Sequence, residues 1–150
     1  MIAFDTNVLV YGQQGETDPR RRKAIDLIYS ATLSGAIVPA QVLGEFLNVC
    51  ILRLHLPPRD AIEQVEEYAR VFLCPLTGLD DQIDAACLSA DHRLQFFDAL
   101  IVIVAARAGA TILLSEDMHN GLKVAGLTIL NPFDPANDSA IAAALAGQSA

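Results

Sequence analysis

The stretch FFDALIVIVAARAGATILLSED, residues 96–117, decides the architecture. From Leu94 to Ala108 the chain is almost wholly apolar and long enough for a helix, and Gly109 provides a C-terminal stop. Thr111 to Leu114 then reads as a short strand, closed by the polar Ser115, Glu116 and Asp117. A helix running directly into an apolar strand is the building unit of an α/β domain with a mostly parallel sheet. Within this stretch, Ala99 to Ala106 is the longest unbroken apolar run. It is far short of the about 20 residues needed to span a bilayer.

The same alternation extends outward on both sides. Ile2 to Phe4 is a predicted strand ending at Asp5, followed by a turn or short helix around Asn7 to Tyr11. Gly12 to Pro19 is polar and reads as a loop. Arg20 to Leu33 has apolar residues at helical spacing, and Gly35 stops it. Ala36 to Val38 is a second strand. Pro39 is placed to open a helix that runs through Glu45 to about Leu54, where Pro57 and Pro58 end it. Arg59 to Arg70 is a further helix, and Val71 to Leu73 a third strand closed by Pro75. Leu79 to Ala90 is helical, with Asp80 or Asp81 as N-cap candidates. Leu127 to Leu130 completes five strands. From Pro132 onward only Ala140 to Ala146 suggests a short helix, so residues 134–150 are expected to be a loosely docked or disordered tail on a domain of residues 1–133.

The composition suits one domain. In 150 residues, 53% are hydrophobic, which is enough for a core and too many for a disordered chain. Ten Lys and Arg against 18 Asp and Glu leave a net charge of −8, which argues against a protein that coats nucleic acid by bulk charge. Cys50, Cys74 and Cys87 have no zinc-site spacing and lie among apolar neighbours, so buried free thiols in a reducing cytoplasm are expected. The opening MIAFD has neither a basic region nor a cleavage site, and no signal peptide is expected.

The acidic residues gather once they are placed on this architecture. In a parallel sheet, strand ends and the helix starts that follow them share one edge, the edge at which α/β folds bind ligands. Asp5 ends the first strand, and Glu45 lies in the first or second turn after the second. Asp98 begins the helix that enters the fourth, and Asp117 lies just past its end. Two charges about 4 Å apart repel by roughly 4 kcal/mol at an effective dielectric near 20. A hard divalent cation is the usual remedy, and carboxylates without nearby Cys or His suit Mg²⁺ or Mn²⁺. Such ions serve phosphoryl transfer and phosphodiester hydrolysis. Thr6, Asn7 and Ser115 are short polar neighbours able to orient the carboxylates.

Each acid also has a plain structural reading. Asp5 or Asn7 caps a turn, Glu45 is a solvated helix residue, Asp98 is favoured by the helix dipole, and Asp117 caps a short helix at Met118. What these readings leave unexplained is the convergence on one edge. Asp98 is the hardest to explain this way, because it precedes an almost entirely apolar helix and a lone buried carboxylate is costly.

The segments FDTNVLVY, VLGEFLNV, FFDALIVIVAA and LLSEDMHNG, the last followed by LTILNPF, together resemble a PIN-domain ribonuclease. The likeness runs from Met1 to about Phe133 and is nearest the VapC-like toxins of bacterial type II toxin–antitoxin pairs. It implies a three-layer α/β/α sandwich with a five-stranded parallel sheet of order 3-2-1-4-5. It also implies catalytic acids at Asp5, Glu45, Asp98 and Asp117, with Mg²⁺ or Mn²⁺ held by Asp5, Asp98 and Asp117. Thr6, Asn7, Ser115 and Glu116 would support them. Glu116 competes with Asp117 for the fourth acidic position, and the spacing from Ser115 favours Asp117. The resemblance further implies an RNA substrate cut by a metal-activated water, a cognate antitoxin as inhibitor, and a homodimer.

Other features bear on substrate and on rival functions. Arg20, Arg21, Arg22 and Lys23 form the one basic run, placed either to hold RNA phosphates or to solvate a helix start. His119 lies near Asp117 and is a further candidate for substrate contact, and Tyr11 is expected to pack rather than to stack on a base. Helical residues 42–54 and 62–72 are candidates for a dimer face. A Mg²⁺-dependent phosphatase with an aspartyl nucleophile would carry DxD after the first strand, where this chain has Asn7. A dinucleotide-binding module would carry GxGxxG there, which is absent. An inactive metal- or RNA-binding module is the remaining alternative.

Overall fold

The first strand, β1 (Ile2–Phe4), is buried along its whole length. The structure, a computed structural model, describes residues 1–147. The Asp5 carboxylate accepts from the Thr6 amide and starts α1 (Thr6–Tyr11) immediately after β1. α2 (Pro19–Ser34) follows, with Asp18 as N-cap and Pro19 in its first turn. It stops at Gly35, whose φ of 86° is one that glycine adopts without strain. α3 (Ala40–Leu52) starts after Pro39, and α4 (Pro58–Val71) after Pro57. α5 (Leu79–His92) and α6 (Phe96–Arg107) pair with one another, burying Ala85 against Ala99, Leu100 and Val104. β2 (Ile112–Leu114) then enters the sheet beside β1.

The sheet corrects the expectation of five parallel strands. It has four strands in the order β1-β2-β4-β3, where β3 is Lys123–Val124 and β4 is Leu127–Leu130. β1, β2 and β4 are parallel, with Ala3, Leu113 and Ile129 in register. β3 is antiparallel to β4. The two-residue link between them, Ala125 and Gly126, has positive φ at both positions, 51° and 82°. That is the geometry of the hairpin turn whose twist matches its strands. The predicted strands Ala36–Val38 and Val71–Leu73 do not form as strands. Each contributes an isolated parallel bridge, Ile37 to Ala3 and Leu73 to Ile37. Both segments emerge from helices and meet Pro39 and Pro75 within two residues, and proline has no N–H to extend a ladder.

The main core gathers β1, β2 and β4 with α1 to α4, α6 and Ile141 of the C-terminal helix, and rings such as Phe46 and Tyr68 meet edge-on at 5.6 Å. The cap of α5 also differs from expectation. Gly78 is the N-cap, and Asp81 reaches back to accept from the Gly78 amide at 2.7 Å. Of the cysteines, Cys50 is buried, Cys74 half-buried and Cys87 exposed. α5 buries only Asp81 and Ala85, four residues apart, so Cys87 lies off that stripe. After a single 3-10 turn at Pro135–Asn137, residues Asp138–Gly147 form α7, with Ile141 buried. The end of the expected tail, residues 148–150, lies outside the described residues.

Candidate active site

β1, α1, α3, α6 and the loop after β2 meet at the carboxyl edge of the sheet. Between them is a cavity of about 260 Å³. Asp5, Glu45, Asp98 and Asp117 all line it, together with Thr6, Asn7, Tyr11, Gln14 and Arg53. Each acid arrives on a different element. Asp5 ends β1, and Glu45 projects from the second turn of α3. Asp98 is the third residue of α6, and Asp117 follows β2.

Asp5 is the buried centre of the group. Its Oδ1 accepts from the Thr6 amide at 2.7 Å, and its Oδ2 accepts from the Ser115 hydroxyl at 2.7 Å and from Asn7 Nδ2 at 3.3 Å. The same Asn7 amide group donates to Asp117 Oδ2 at 3.1 Å, so Asn7 bridges two of the acids. Thr6 Oγ1 donates to Glu45 Oε2 at 2.9 Å, and Gln41 Nε2 donates to Glu45 Oε1 at 2.8 Å. Ser115 is fully buried and also accepts from the Met118 amide at 3.2 Å, which pins the turn that carries Asp117.

The electrostatics reflect crowding of like charge. Burial pushes the Asp5 carboxyl up to about 6; its bonds from Ser115 and Thr6 oppose the rise, and Asp98 and Glu45 add to it. Burial also raises Asp98, with Glu45 and Asp117 contributing. Among the described residues, no three carboxylate, histidine or cysteine groups stand close enough to enclose an ion unaided. The donor set nonetheless fits a hard cation. It is all oxygen, none of its four acids is in an ion pair among the described residues, and Mg²⁺ commonly takes one or two carboxylates and keeps water for its other positions.

Other candidates from the sequence fall elsewhere. Glu116 turns away from the cavity. Its carboxylate accepts from the Tyr11 hydroxyl and from Arg20 Nη1 at 3.0 Å, while its amide donates to Asn7 Oδ1 at 3.3 Å. Arg20 also pairs with Asp18 at 3.0 Å and lies 4.3 Å above the Tyr11 ring. Burial and the bond to Glu116 raise the Tyr11 hydroxyl to about 12, and its ring packs edge-on against Phe133 at 5.0 Å. Arg22 pairs with Asp26, and Lys23 with Asp138. Neither these two nor Arg21 and His119 line the cavity. Sequence reasoning missed Gln41 and Arg53. Both lie on the Glu45 face of α3, at four and eight residues from it, a spacing that makes them visible in the sequence.

A PIN domain family model matches residues 2–123, and the chain belongs to that family. PIN domains are typically nucleases. Solved structures similar to the chain share its fold at low identity. One is a toxin–antitoxin complex from Klebsiella pneumoniae, with 17% identity, 89% of this chain and 99% of that one covered, and a TM-score of 0.67. Another is VapC20 of Mycobacterium tuberculosis, described as a sarcin-ricin loop cleaving toxin, with 20% identity, coverages of 78% and 92%, and a TM-score of 0.64. A third is FitAcB from Neisseria gonorrhoeae, with 15% identity, coverages of 89% and 99%, and a TM-score of 0.62. No curated protein matches the chain.

Proposed function

We propose that this PIN-domain protein is a Mg²⁺- or Mn²⁺-dependent endoribonuclease, acting as a toxin that a cognate antitoxin protein restrains. The observation that carries this reading is the cavity in which Asp5, Glu45, Asp98 and Asp117 meet from four separate elements. Structural neighbours that are toxins, one of them in a toxin–antitoxin complex, support it.

In this reading Asp5, Asp98 and Asp117 would hold the metal between them, one or two as direct ligands and the others through its water. When bound, such an ion supplies Lewis-acid activation of water and neutralises charge at the phosphodiester. The rest falls to the chain. Ser115 and the Thr6 amide orient Asp5, and Asn7 keeps Asp117 beside it. Thr6 and Gln41 hold Glu45 at the rim, where its carboxylate is placed to accept a proton. A basic antitoxin side chain entering the cavity would satisfy the same acids. Cytoplasmic residence and a homodimer complete the proposal. Among the described residues, no helix is long and apolar enough to cross a membrane.

The test is cleavage of total bacterial RNA by the purified protein with Mg²⁺, Mn²⁺ or EDTA. Cleavage is expected with either metal and not with EDTA. Asp5→Asn is expected to lose about a hundredfold or more, because small misplacements of reacting groups cost that much. Equal activity in EDTA, or in Asp5→Asn, rules the reading out.

A further inference from the structure

The basic run expected to meet RNA is largely committed to the protein's own acids. Arg20 holds Asp18 and Glu116, Arg22 holds Asp26, and Lys23 holds Asp138. Among the described residues, Arg21, Arg53, Arg93 and Lys123 have no ion-pair partner, and of these Arg53 alone lines the acidic cavity. Its side chain is exposed, at the C-terminal end of α3. Glu45, Val49 and Arg53 all line the cavity at four-residue intervals, so they stack along one helix face. That face extends about 12 Å from Glu45 to Arg53.

We propose that Arg53 is a substrate-binding residue that grips an RNA phosphate neighbouring the one attacked beside Glu45. The inference rests on the ribonuclease reading above. An unpaired guanidinium at the rim of an acidic cavity has two roles open to it: to neutralise the acids, or to receive an anion. Asp5 is buried and Glu45 and Asp98 are half-buried, and the crowding of these acids with Asp117 suits a divalent ion, which leaves the fork of the exposed Arg53 free for a phosphate. Its offset along α3 places that phosphate one or more nucleotides from the scissile bond. A strand anchored there is held across the cavity despite the protein's net charge of −8.

The experiment follows initial cleavage rates of total bacterial RNA with Mn²⁺, at limiting RNA, from about 50 to 200 mM KCl. Wild type is compared with Arg53→Gln, Arg53→Lys and Arg59→Gln. Arg59 is exposed on α4 and pairs only with Glu63, away from the cavity. Arg53→Gln is expected to lose about tenfold in rate and to flatten the logarithmic salt slope by about 0.7, the value for one phosphate contact on a single strand. Arg53→Lys should keep the slope at an intermediate rate, because it retains the charge without the fork. Arg59→Gln should match wild type. A wild-type rate and slope in Arg53→Gln, beside an active wild type, overturns the phosphate contact alone. Wild type unable to cut RNA at all overturns the ribonuclease reading and this inference together.

Discussion

Asp5 carries more of the site than any other residue. It receives bonds from Thr6, Asn7 and Ser115, yet burial still raises its carboxyl from 3.8 to about 6. A raised value means that the folded state binds this proton more tightly than the unfolded chain does. Its contribution to stability is therefore complete below about 4 and is lost as pH rises through about 6. The size of that loss is roughly 3 kcal/mol. Asp98 is raised in the same direction. Urea unfolding of the protein in EDTA, on either side of pH about 6, should show the decline. Asp98→Asn should be more stable than wild type in EDTA at neutral pH, because it removes a like charge. With Mn²⁺ at about a hundredfold excess over its Kd, wild type should gain about 2.7 kcal/mol and Asp98→Asn far less. If Asp98→Asn is the less stable in EDTA and gains as much from Mn²⁺, the acids do not share an ion.

At the scale of elements, the site depends on how the α5–α6 pair is anchored, because α6 carries Asp98. Arg107, at the last turn of α6, donates to Asp81 near the start of α5 at 2.7 and 3.0 Å and to the Leu76 carbonyl at 2.8 Å. Asp81 also accepts from the Gly78 amide at 2.7 Å. One carboxylate thus caps α5 and latches α6. The bonds from Arg107 and Gly78 hold Asp81 below the usual carboxylate range. The sign here is opposite to that of Asp5. The contribution of Asp81 is present above the ordinary value of 3.8 and is lost as pH falls through its lowered one. Asp81→Ala should cost about 1–2 kcal/mol at neutral pH, from the lost cap and charged hydrogen bonds. Arg107 is half exposed, so water screens the ion pair and keeps the figure modest. Chemical denaturation of the two proteins measures it. A variant as stable as wild type would show that the latch is idle.

Taken whole, the molecule leaves an apolar surface uncovered. Leu76, Leu79 and Ile83 are 76%, 73% and 55% exposed where the chain enters α5, and Leu73 at the bridge before them is 52% exposed. The sequence had placed the dimer candidate on residues 42–54 and 62–72. Much of the apolar surface there is spent on the α3–α4 contact, with Phe46 and Tyr68 buried. Leu52, Ile62 and Val71 remain exposed there, so for the proposed homodimer the α5 entry is a second candidate face beside α3 and α4. Leu79 and Ile83 are one turn apart, and Leu79→Lys with Ile83→Lys should convert a dimer to a monomer in sedimentation experiments. An unchanged mass in the double variant would move the interface elsewhere.

The local signals in the chain were sufficient for its helices. Apolar runs, the stops at Gly35 and Gly109 and the start at Pro39 are short-range backbone preferences, and the helices follow them closely. The same signals placed Asp5, Glu45, Asp98 and Asp117 at one edge, because strand ends and helix starts coincide in a parallel sheet. Pairing across distance was decided only by the tertiary structure. Ile37 and Leu73 form single bridges because each segment is clipped by a nearby proline, and the Ala125–Gly126 hairpin turns β3 back on β4. Asn7 reaches Asp117 across 110 residues, and Thr6 reaches Glu45 across 39. Glu116 leaves the cavity for Tyr11 and Arg20, while Arg53 enters it. A side chain chooses such partners by which neighbours packing brings within about 3 Å, and no local preference of the backbone encodes that distance.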